Sequence, residues 1–227
     1  MQANLERTIP HRFSFYLILA LAACFFVWPK KATSQRLLVF SCSTFPADTT
    51  EAKLIEQFGS ENVRTGRVAG GGAEGEHTQG TVMFAETIDA KVEILWKDRE
   101  SKRAPSLVWI SGSRSRWRSR EAITLGTDLR TVERVNGRPF RMAGFGFDGS
   151  GTVLSWAGGR LEAQASAGCK MRLGLDRLSE PAAATSTTSE RRVLINRVMG
   201  DRSFSSGHPA MQALNPRAYK MFLEYDR

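Results

Sequence analysis

The sequence predicts an α+β protein with a mainly antiparallel sheet and short helices on one face. Three observations support this class. Several segments, such as residues 91–97, alternate apolar and polar residues with the two-residue period of half-buried strands. Short stretches with a helical apolar period lie between them, and two of these end at Gly59 and Gly137. Glycine-rich turns connect neighbouring strand candidates, which favours hairpins.

In the first half, residues 49–58 predict a helix with an apolar stripe at Leu54, Ile55 and Phe58. Its cap is one of Ser43, Thr44, Asp48, Thr49 and Thr50. Strands are predicted at 63–68, 81–84, 91–97 and 106–110, with a glycine-rich loop over 69–80. Within 91–97, Leu95 is the exception to the alternation.

In the second half, Thr127 or Asp128 caps a predicted helix that continues through Val135. The following elements are predicted from alternation and turn residues: strands at 140–147, 152–156, 161–165, 169–175, 193–199 and 219–225, a turn over 148–151, and a short helix that ends at Leu214. The low-complexity segment 176–191 is predicted to be a long flexible loop.

The N-terminus is typical of an export signal, so we divide the chain into a signal peptide, 1–34, and one α+β domain, 35–227. Basic residues precede an uncharged apolar run over 13–28, and the small residues of 32–34 suit cleavage before Gln35. An uncleaved N-terminal anchor is one alternative. A lipoprotein acylated at Cys24 is another, although the apolar run continues after that cysteine. The expected location is the periplasm or the exterior.

Charge and cysteine content agree with an exported protein. The chain carries a formal net charge of +9. Residues 1–34 hold four basic and one acidic side chain, which leaves +6 on the remainder. Such a surface favours anionic partners. Beyond the signal only Cys42 and Cys169 remain, and an even pair in an exported chain predicts a disulfide, with two buried free thiols as the alternative.

An internal sequence similarity suggests two tandem units, in residues 43–120 and 121–227. In each half a helix ends at a glycine and two strand candidates follow. The segment 54–59 resembles 131–137, and Gly80-Thr81-Val82 resembles Gly151-Thr152-Val153. The sequence therefore predicts a repeated helix–strand–strand unit.

The segment 113–120 is a candidate for a binding surface. In an extended chain, the arginines at every second position would share one face, and Trp117 would point the other way. This pattern suggests an anion-binding strip with an aromatic partner, formed by Arg114, Arg116, Trp117, Arg118 and Arg120. The sequence alone favours the alternative, a solvated strand or loop whose charges prevent edge-to-edge pairing, because four like charges without a fold-level motif are usually an ordinary surface.

Other catalytic and cofactor signals are weak. Gly144, Gly146 and Gly149 match the spacing G-x-G-x-x-G, but a strand candidate follows where a dinucleotide site needs a helix N-terminus. No nucleophile motif is present, and neither His77 nor His208 has a second ligand at zinc spacing. We therefore expect no cofactor, no metal and no catalytic residues from the sequence.

The stretch Gly126–Leu161 resembles a family of uncharacterised exported bacterial proteins. The shared pattern is G-x-x-L-x-x-x-E-x-x-N-G-x-P-F, then G-F-G-x-D, then S-W-x-G-G-x-L. The likeness also includes residues 54–63 and 95–98, and this chain has Phe147 and Gly149 where that pattern has Trp and Tyr. The alternation of helix, glycine and strands is also similar, at the level of fold, to the repeats of β-lactamase inhibitor proteins. That likeness implies binding rather than catalysis.

The sequence thus favours a non-enzymatic envelope protein that binds another protein or an anionic envelope component. We expect no specific nucleic-acid binding, and membrane contact only through an uncleaved N-terminal segment. Two alternatives stay open: a hydrolase whose site is assembled only in the fold, and a purely structural envelope protein.

Overall fold

The structure is a computed structural model that describes residues 38–69, 77–147, 149–164, 168–176 and 188–226. The chain divides after Arg36, and all the described residues belong to the second unit, Leu37–Arg227. The predicted signal segment, 1–34, lies outside the described residues, as do 70–76 and 177–187 of the two predicted loops.

Helices and mostly antiparallel strands alternate along this unit, which confirms the α+β class. The helices are α1 (Glu51–Phe58), α2 (Leu129–Asn136), α3 (Thr188–Arg197) and α4 (Pro209–Leu214). The strands are β1 (Leu38–Val39), β2 (Val63–Ala69), β3 (His77–Met83), β4 (Val92–Asp98), β5 (Arg103–Ser111), β6 (Trp117–Arg118), β7 (Arg141–Ala143), β8 (Val153–Ser155), β9 (Cys169–Asp176), β10 (Ser203–Ser205) and β11 (Arg217–Tyr225). Short 3₁₀ helices cover Ser60–Asn62 and Arg160–Gln164.

The largest sheet has six strands in the order β2-β3-β4-β5-β11-β9, and every neighbouring pair is antiparallel. β2 to β5 follow one another as a meander, as short connections between antiparallel neighbours allow. The last strand, β11, lies between β5 and β9. Separately, β10, β7 and β8 form a three-stranded sheet, and β1 pairs with β6 in parallel.

The two faces of the six-stranded sheet bury different apolar clusters. One face joins the main core, to which α1, α2 and α4 contribute Leu54, Val132 and Met211. The opposite face carries a smaller cluster of Val68, Val82, Leu95, Trp109 and Phe222. Leu95 breaks the predicted alternation because this second face is apolar as well.

The helix ends follow the predicted caps. The Thr50 hydroxyl accepts a hydrogen bond from the Lys53 N–H at 3.1 Å, and the Asp128 carboxylate accepts one from the Thr131 N–H at 3.1 Å. These oxygens satisfy N–H groups that the first turn leaves without a partner. α2 ends at Gly137, whose φ of +80° is a left-handed conformation that favours glycine.

Two predicted strands are wrong. Residues 193–197 belong to α3, and so do residues 188–191 of the predicted loop. A short apolar run such as Val193-Leu194-Ile195 fits either element, and here Leu194 and Ile195 pack against the main core from a helix. Residues 161–164 form part of a 3₁₀ helix instead of extending the meander.

The lengths of two other strands differ from the prediction: β3 is longer than predicted and β7 is shorter. Residues 77–80, assigned to a loop, are the first part of β3 and pair with β2. Strand pairing outweighs their polar, glycine-containing sequence. The predicted strand over 140–147 is limited to β7, because Phe145 instead bridges to Met199 and the chain bends at Gly146.

Candidate anion-binding surface

Along residues 114–120 exposed arginines alternate with less exposed residues, although only Trp117–Arg118 forms a strand. Four arginines are exposed while Trp117 and Ser119 are buried. We call the exposed set the arginine strip, and it consists of Arg114, Arg116, Arg118 and Arg120. The strip therefore places four exposed cations within one short segment of the chain.

Trp117 anchors this segment to the main core. Its side chain is fully buried, and its ring centroid lies 5.7 Å from that of Phe45 and 6.2 Å from that of Phe84. The indole Nε1 donates a hydrogen bond of 2.7 Å to the Ala90 carbonyl. This contact satisfies the polar end of a buried indole, as burial requires.

The burial of Trp117 corrects one part of the sequence hypothesis. Trp117 was a candidate for stacking against a bound anion beside the arginines. Its ring has no exposed surface and its nitrogen already has a partner. The aromatic side chain therefore supports the strip from below and does not contact a ligand.

Further hydrogen bonds fix the backbone under the strip. β6 pairs with β1, and the Phe40 N–H donates to the Arg118 carbonyl at 2.8 Å. The Thr124 hydroxyl donates to the Trp117 carbonyl at 2.7 Å, and the Ser119 hydroxyl oxygen accepts from the Ile123 N–H at 3.2 Å. A ligand on the arginines would therefore order side chains without also having to order the backbone.

The strip is not neutralised by neighbouring carboxylates. Seven ion pairs are found in the described part of the chain, and none of them includes a residue of the strip. Arg120 donates to the Ser43 hydroxyl at 2.6 Å, which is a neutral partner. Two acids lie close in the chain or in space: Glu121, whose carboxylate accepts a hydrogen bond from the Ser119 hydroxyl, and Asp89, whose carbonyl accepts one from the Arg116 N–H. Four cations against two acids leave a local positive surplus.

A cavity of about 420 Å³ opens at the Arg114 end of the strip. It is lined by Ile88, Asp89 and residues 111–114. The lining brings a guanidinium, a carboxylate and two hydroxyl-bearing residues, Ser111 and Ser113, to one open site. Such a mixed set can bind a small charged group by hydrogen bonds, with Arg114 as its cation.

The glycine-rich stretch around Gly144 is architectural, as the sequence interpretation holds. A β-carbon on Gly144 would collide with the Gly200 carbonyl oxygen, and one on Gly151 with the Leu175 carbonyl oxygen. After the turn, the chain enters β8 and not a helix. The stretch therefore lacks the helix N-terminus that would bind a pyrophosphate.

The predicted disulfide is present. Cys42 and Cys169 are bonded, their Cα atoms are 5.9 Å apart, and both side chains are buried. The bond connects the segment after β1 to β9 across 127 positions. The Tyr225 hydroxyl, on the strand paired with β9, donates to the Phe45 carbonyl at the same end. The disulfide and this hydrogen bond thus link the segment between β1 and α1 to the six-stranded sheet.

Three groups with perturbed pKa values lie on β11, and the carbonyl of one of them, Tyr219, accepts a hydrogen bond of 2.8 Å from the N–H of Gly112 in the cavity lining. Burial lowers the pKa of the Lys220 ammonium, against the opposing effect of the Glu93 carboxylate. Burial also raises the pKa of the Tyr219 and Tyr225 hydroxyls. The Lys220 ammonium lies 5.5 Å from the ring centroids of both Trp109 and Phe222. The Lys220 ammonium thus packs against the second apolar cluster, where a cation over aromatic rings is a packing arrangement, whereas Tyr225 belongs to the main core.

Sequence reasoning missed the residues that reach the strip from the β3–β4 connection. Ile88 and Asp89 line the cavity but lie 25 or more positions before Arg114. The available signal is one apolar residue between the polar residues Thr87 and Asp89, in a segment with no strand period. That pattern predicts a turn with an exposed side chain, although it does not indicate which surface the turn approaches.

No helix within residues 38–69, 77–147, 149–164, 168–176 and 188–226 is long and apolar enough to cross a bilayer. The same residues contain no cluster of three or more His, Cys, Asp or Glu side chains placed to hold a metal ion.

Comparison with protein-family models, with curated proteins and with solved structures found no match. The resemblances on the Gly126–Leu161 pattern therefore remain predictions.

Proposed function

We propose that this chain is an exported, non-enzymatic binding protein whose arginine strip binds an anionic component of the cell envelope. The observation that carries the proposal is the exposure of four alternating arginines without a carboxylate partner among the described residues. Unpaired guanidinium groups on a fixed backbone are suited to phosphate and carboxylate ligands, which they bind with two parallel hydrogen bonds.

The expected binding free energies indicate that the four arginines must act together to bind an anionic ligand. A single exposed charge pair contributes about 0.2–1 kcal/mol. A basic side chain near an extended anionic surface contributes about 1 kcal/mol. Four arginines acting together can therefore give useful affinity for a polyanion, while each of them alone cannot. Asp89 and Glu121 reduce the sum but do not reverse it.

Export is supported by two independent features. The N-terminal sequence has the charge and apolar pattern of a signal segment. The bond between Cys42 and Cys169 belongs to an oxidising compartment, since cytosolic thiols are usually kept reduced. Together they favour the periplasm or the exterior of a bacterial cell.

The proposal is tested by elution from a heparin resin in increasing salt. In the test variant the four arginines of the strip are replaced by Ser. In the matched variant four exposed arginines elsewhere are replaced by Ser, namely Arg67, Arg134, Arg192 and Arg197. Both variants lose the same net charge. We expect the test variant to elute at clearly lower salt than the matched variant.

Equal elution of the two variants would overturn the proposal, because retention would then depend on net charge and not on the strip. Both variants are first checked for a cooperative unfolding transition, so that reduced retention is not read from misfolded protein.

The tandem-unit interpretation also remains a proposal. The order of helix, glycine, strand and strand recurs as α1-β2-β3 and α2-β7-β8, which supports it. The first strand pair lies in the six-stranded sheet and the second in the three-stranded sheet, so a repeat would have changed its partners. Independent expression of residues 121–227 would test whether that half folds alone.

A further inference from the structure

Ile88 is an unusually exposed apolar side chain next to the arginine strip. Its relative exposure is 83%, whereas the other exposed large hydrophobic residues of the described chain range from 36% to 54%. Isolated apolar residues on a surface need no explanation by themselves. This one borders the same cavity as Arg114, so an apolar side chain and the Arg114 end of the strip lie next to each other.

Hydrogen bonds fix the backbone of the turn that carries Ile88. The Thr87 N–H donates to the Phe84 carbonyl at 2.9 Å, and the Ala90 N–H donates to the Thr87 carbonyl at 2.8 Å. The Asp89 carbonyl accepts hydrogen bonds from the Arg116 N–H at 2.7 Å and from the Ser115 hydroxyl at 3.1 Å. The backbone of the strip therefore holds the turn in place.

We propose that Ile88 and the arginine strip together bind the surface of a bilayer that contains anionic phospholipids. This inference rests on the proposed function and names the anionic component. Ile88 enters the boundary between headgroups and acyl chains, and the guanidinium groups bind lipid phosphates. Peripheral proteins combine these two elements because apolar insertion and electrostatic attraction add together at a membrane surface.

A bilayer fits this surface better than a soluble polyanion does. A soluble polyanion offers phosphates or sulfates to the arginines but no apolar region for Ile88. The position of Asp89 also favours a bilayer over a ligand confined to the cavity. Its side chain is partly exposed next to Ile88, so a ligand confined to the cavity would meet a carboxylate as well as Arg114. An extended anionic surface contacts the whole strip and averages over that one unfavourable charge.

The experiment measures sedimentation of the full chain with vesicles of phosphatidylglycerol and phosphatidylcholine, compared with vesicles of phosphatidylcholine alone. The variants are Ile88→Ser and the matched Val193→Ser, which replaces an exposed β-branched residue on α3. All proteins keep the same N-terminus, so any contribution of residues 13–28 is common to them. Burial of one aliphatic side chain predicts about a tenfold loss of affinity for anionic vesicles in Ile88→Ser. Val193→Ser should bind like the wild type.

Hydrogen exchange locates the contact independently of the N-terminal segment. Anionic vesicles should slow exchange in peptides that cover residues 84–90 and 111–120, and vesicles of phosphatidylcholine alone should slow it much less. Unchanged exchange in both peptides would overturn the inference, even if the protein sediments with vesicles.

The inference and the proposed function fail in different ways. If Ile88→Ser binds vesicles as well as the wild type does, while the strip variant still loses retention on heparin, the ligand is a soluble polyanion or an acidic protein and the membrane inference is wrong. If the strip variant keeps its retention on heparin, the proposed function itself is wrong.

Discussion

Replacement of Trp117 by Phe should destabilise the protein more than the same replacement elsewhere, because Trp117 supports the arginine strip through packing and through one hydrogen bond. The Ala90 residue is 1% exposed, so its carbonyl would lose the indole donor in a dry environment. A buried acceptor left without a partner costs about 1–3 kcal/mol. The smaller ring also leaves a void worth about 1 kcal/mol. We therefore expect a loss of about 2–4 kcal/mol in the free energy of unfolding.

The matched control is Trp109→Phe. Trp109 is also buried, at 3% exposure, but no described residue accepts a hydrogen bond from its indole nitrogen. Its replacement should cost only the packing part, about 1 kcal/mol. Urea unfolding followed by circular dichroism gives both values from the midpoint and slope. If Trp117→Phe costs no more than Trp109→Phe, the bond to Ala90 does not stabilise the fold and the reasoning fails.

Two further predictions concern the turn and the helix cap. Gly149→Ala and Gly151→Ala both place a side chain at positive φ, +75° and +69°, but only at Gly151 would the new β-carbon collide with the Leu175 carbonyl oxygen. Gly149→Ala should cost about 1 kcal/mol and Gly151→Ala several times more, and equal unfolding midpoints would contradict the close approach seen there. At Asp128, burial opposes ionisation, but hydrogen bonds from the Thr131 N–H and hydroxyl and from Asn215 outweigh it and hold the pKa below its ordinary value of 3.8. The charged carboxylate therefore stabilises the fold above pH 3.8, and this contribution is lost as the pH falls through the lower folded-state pKa. The stability advantage of the wild type over Asp128→Asn should be largest near neutral pH and should disappear in acid; an advantage that grows on acidification would refute this assignment.

Local patterns in the sequence were enough to predict the exposure of the four arginines and most strands of the six-stranded sheet. In an extended chain the alternation at residues 114–120 would place the arginines and Trp117 on opposite faces, and the arginines are indeed exposed and Trp117 buried, although only Trp117–Arg118 is a strand. The Asp128 cap and the Gly137 stop depend on hydrogen bonds within one turn, and they too could be predicted. Cys42 and Cys169 were paired correctly because no other cysteine competed beyond the predicted signal segment.

Contacts between distant segments were not accessible in this way. The approach of Ile88 and Asp89 to Arg114 depends on the path of the chain after β3, which no local period records. The sequence did not reveal that burial would keep Trp117 from contacting a ligand. Alternation predicts the direction of a side chain, but it does not show whether a core lies in that direction. α3 was mistaken for a strand since three consecutive apolar residues fit both elements, and only their packing against the core decides between them.

The measurement that tests the central claim most directly is the salt dependence of binding to heparin in solution. Each arginine that contacts the polyanion releases counterions, so the logarithm of the affinity should fall more steeply with the logarithm of salt concentration when the strip is intact. We expect the slope of the wild type to exceed that of the variant with all four strip arginines replaced by Ser by at least about 2. The matched variant at Arg67, Arg134, Arg192 and Arg197 should keep the slope of the wild type. Equal slopes for the two variants would show that the strip is an ordinary solvated surface and would contradict the account.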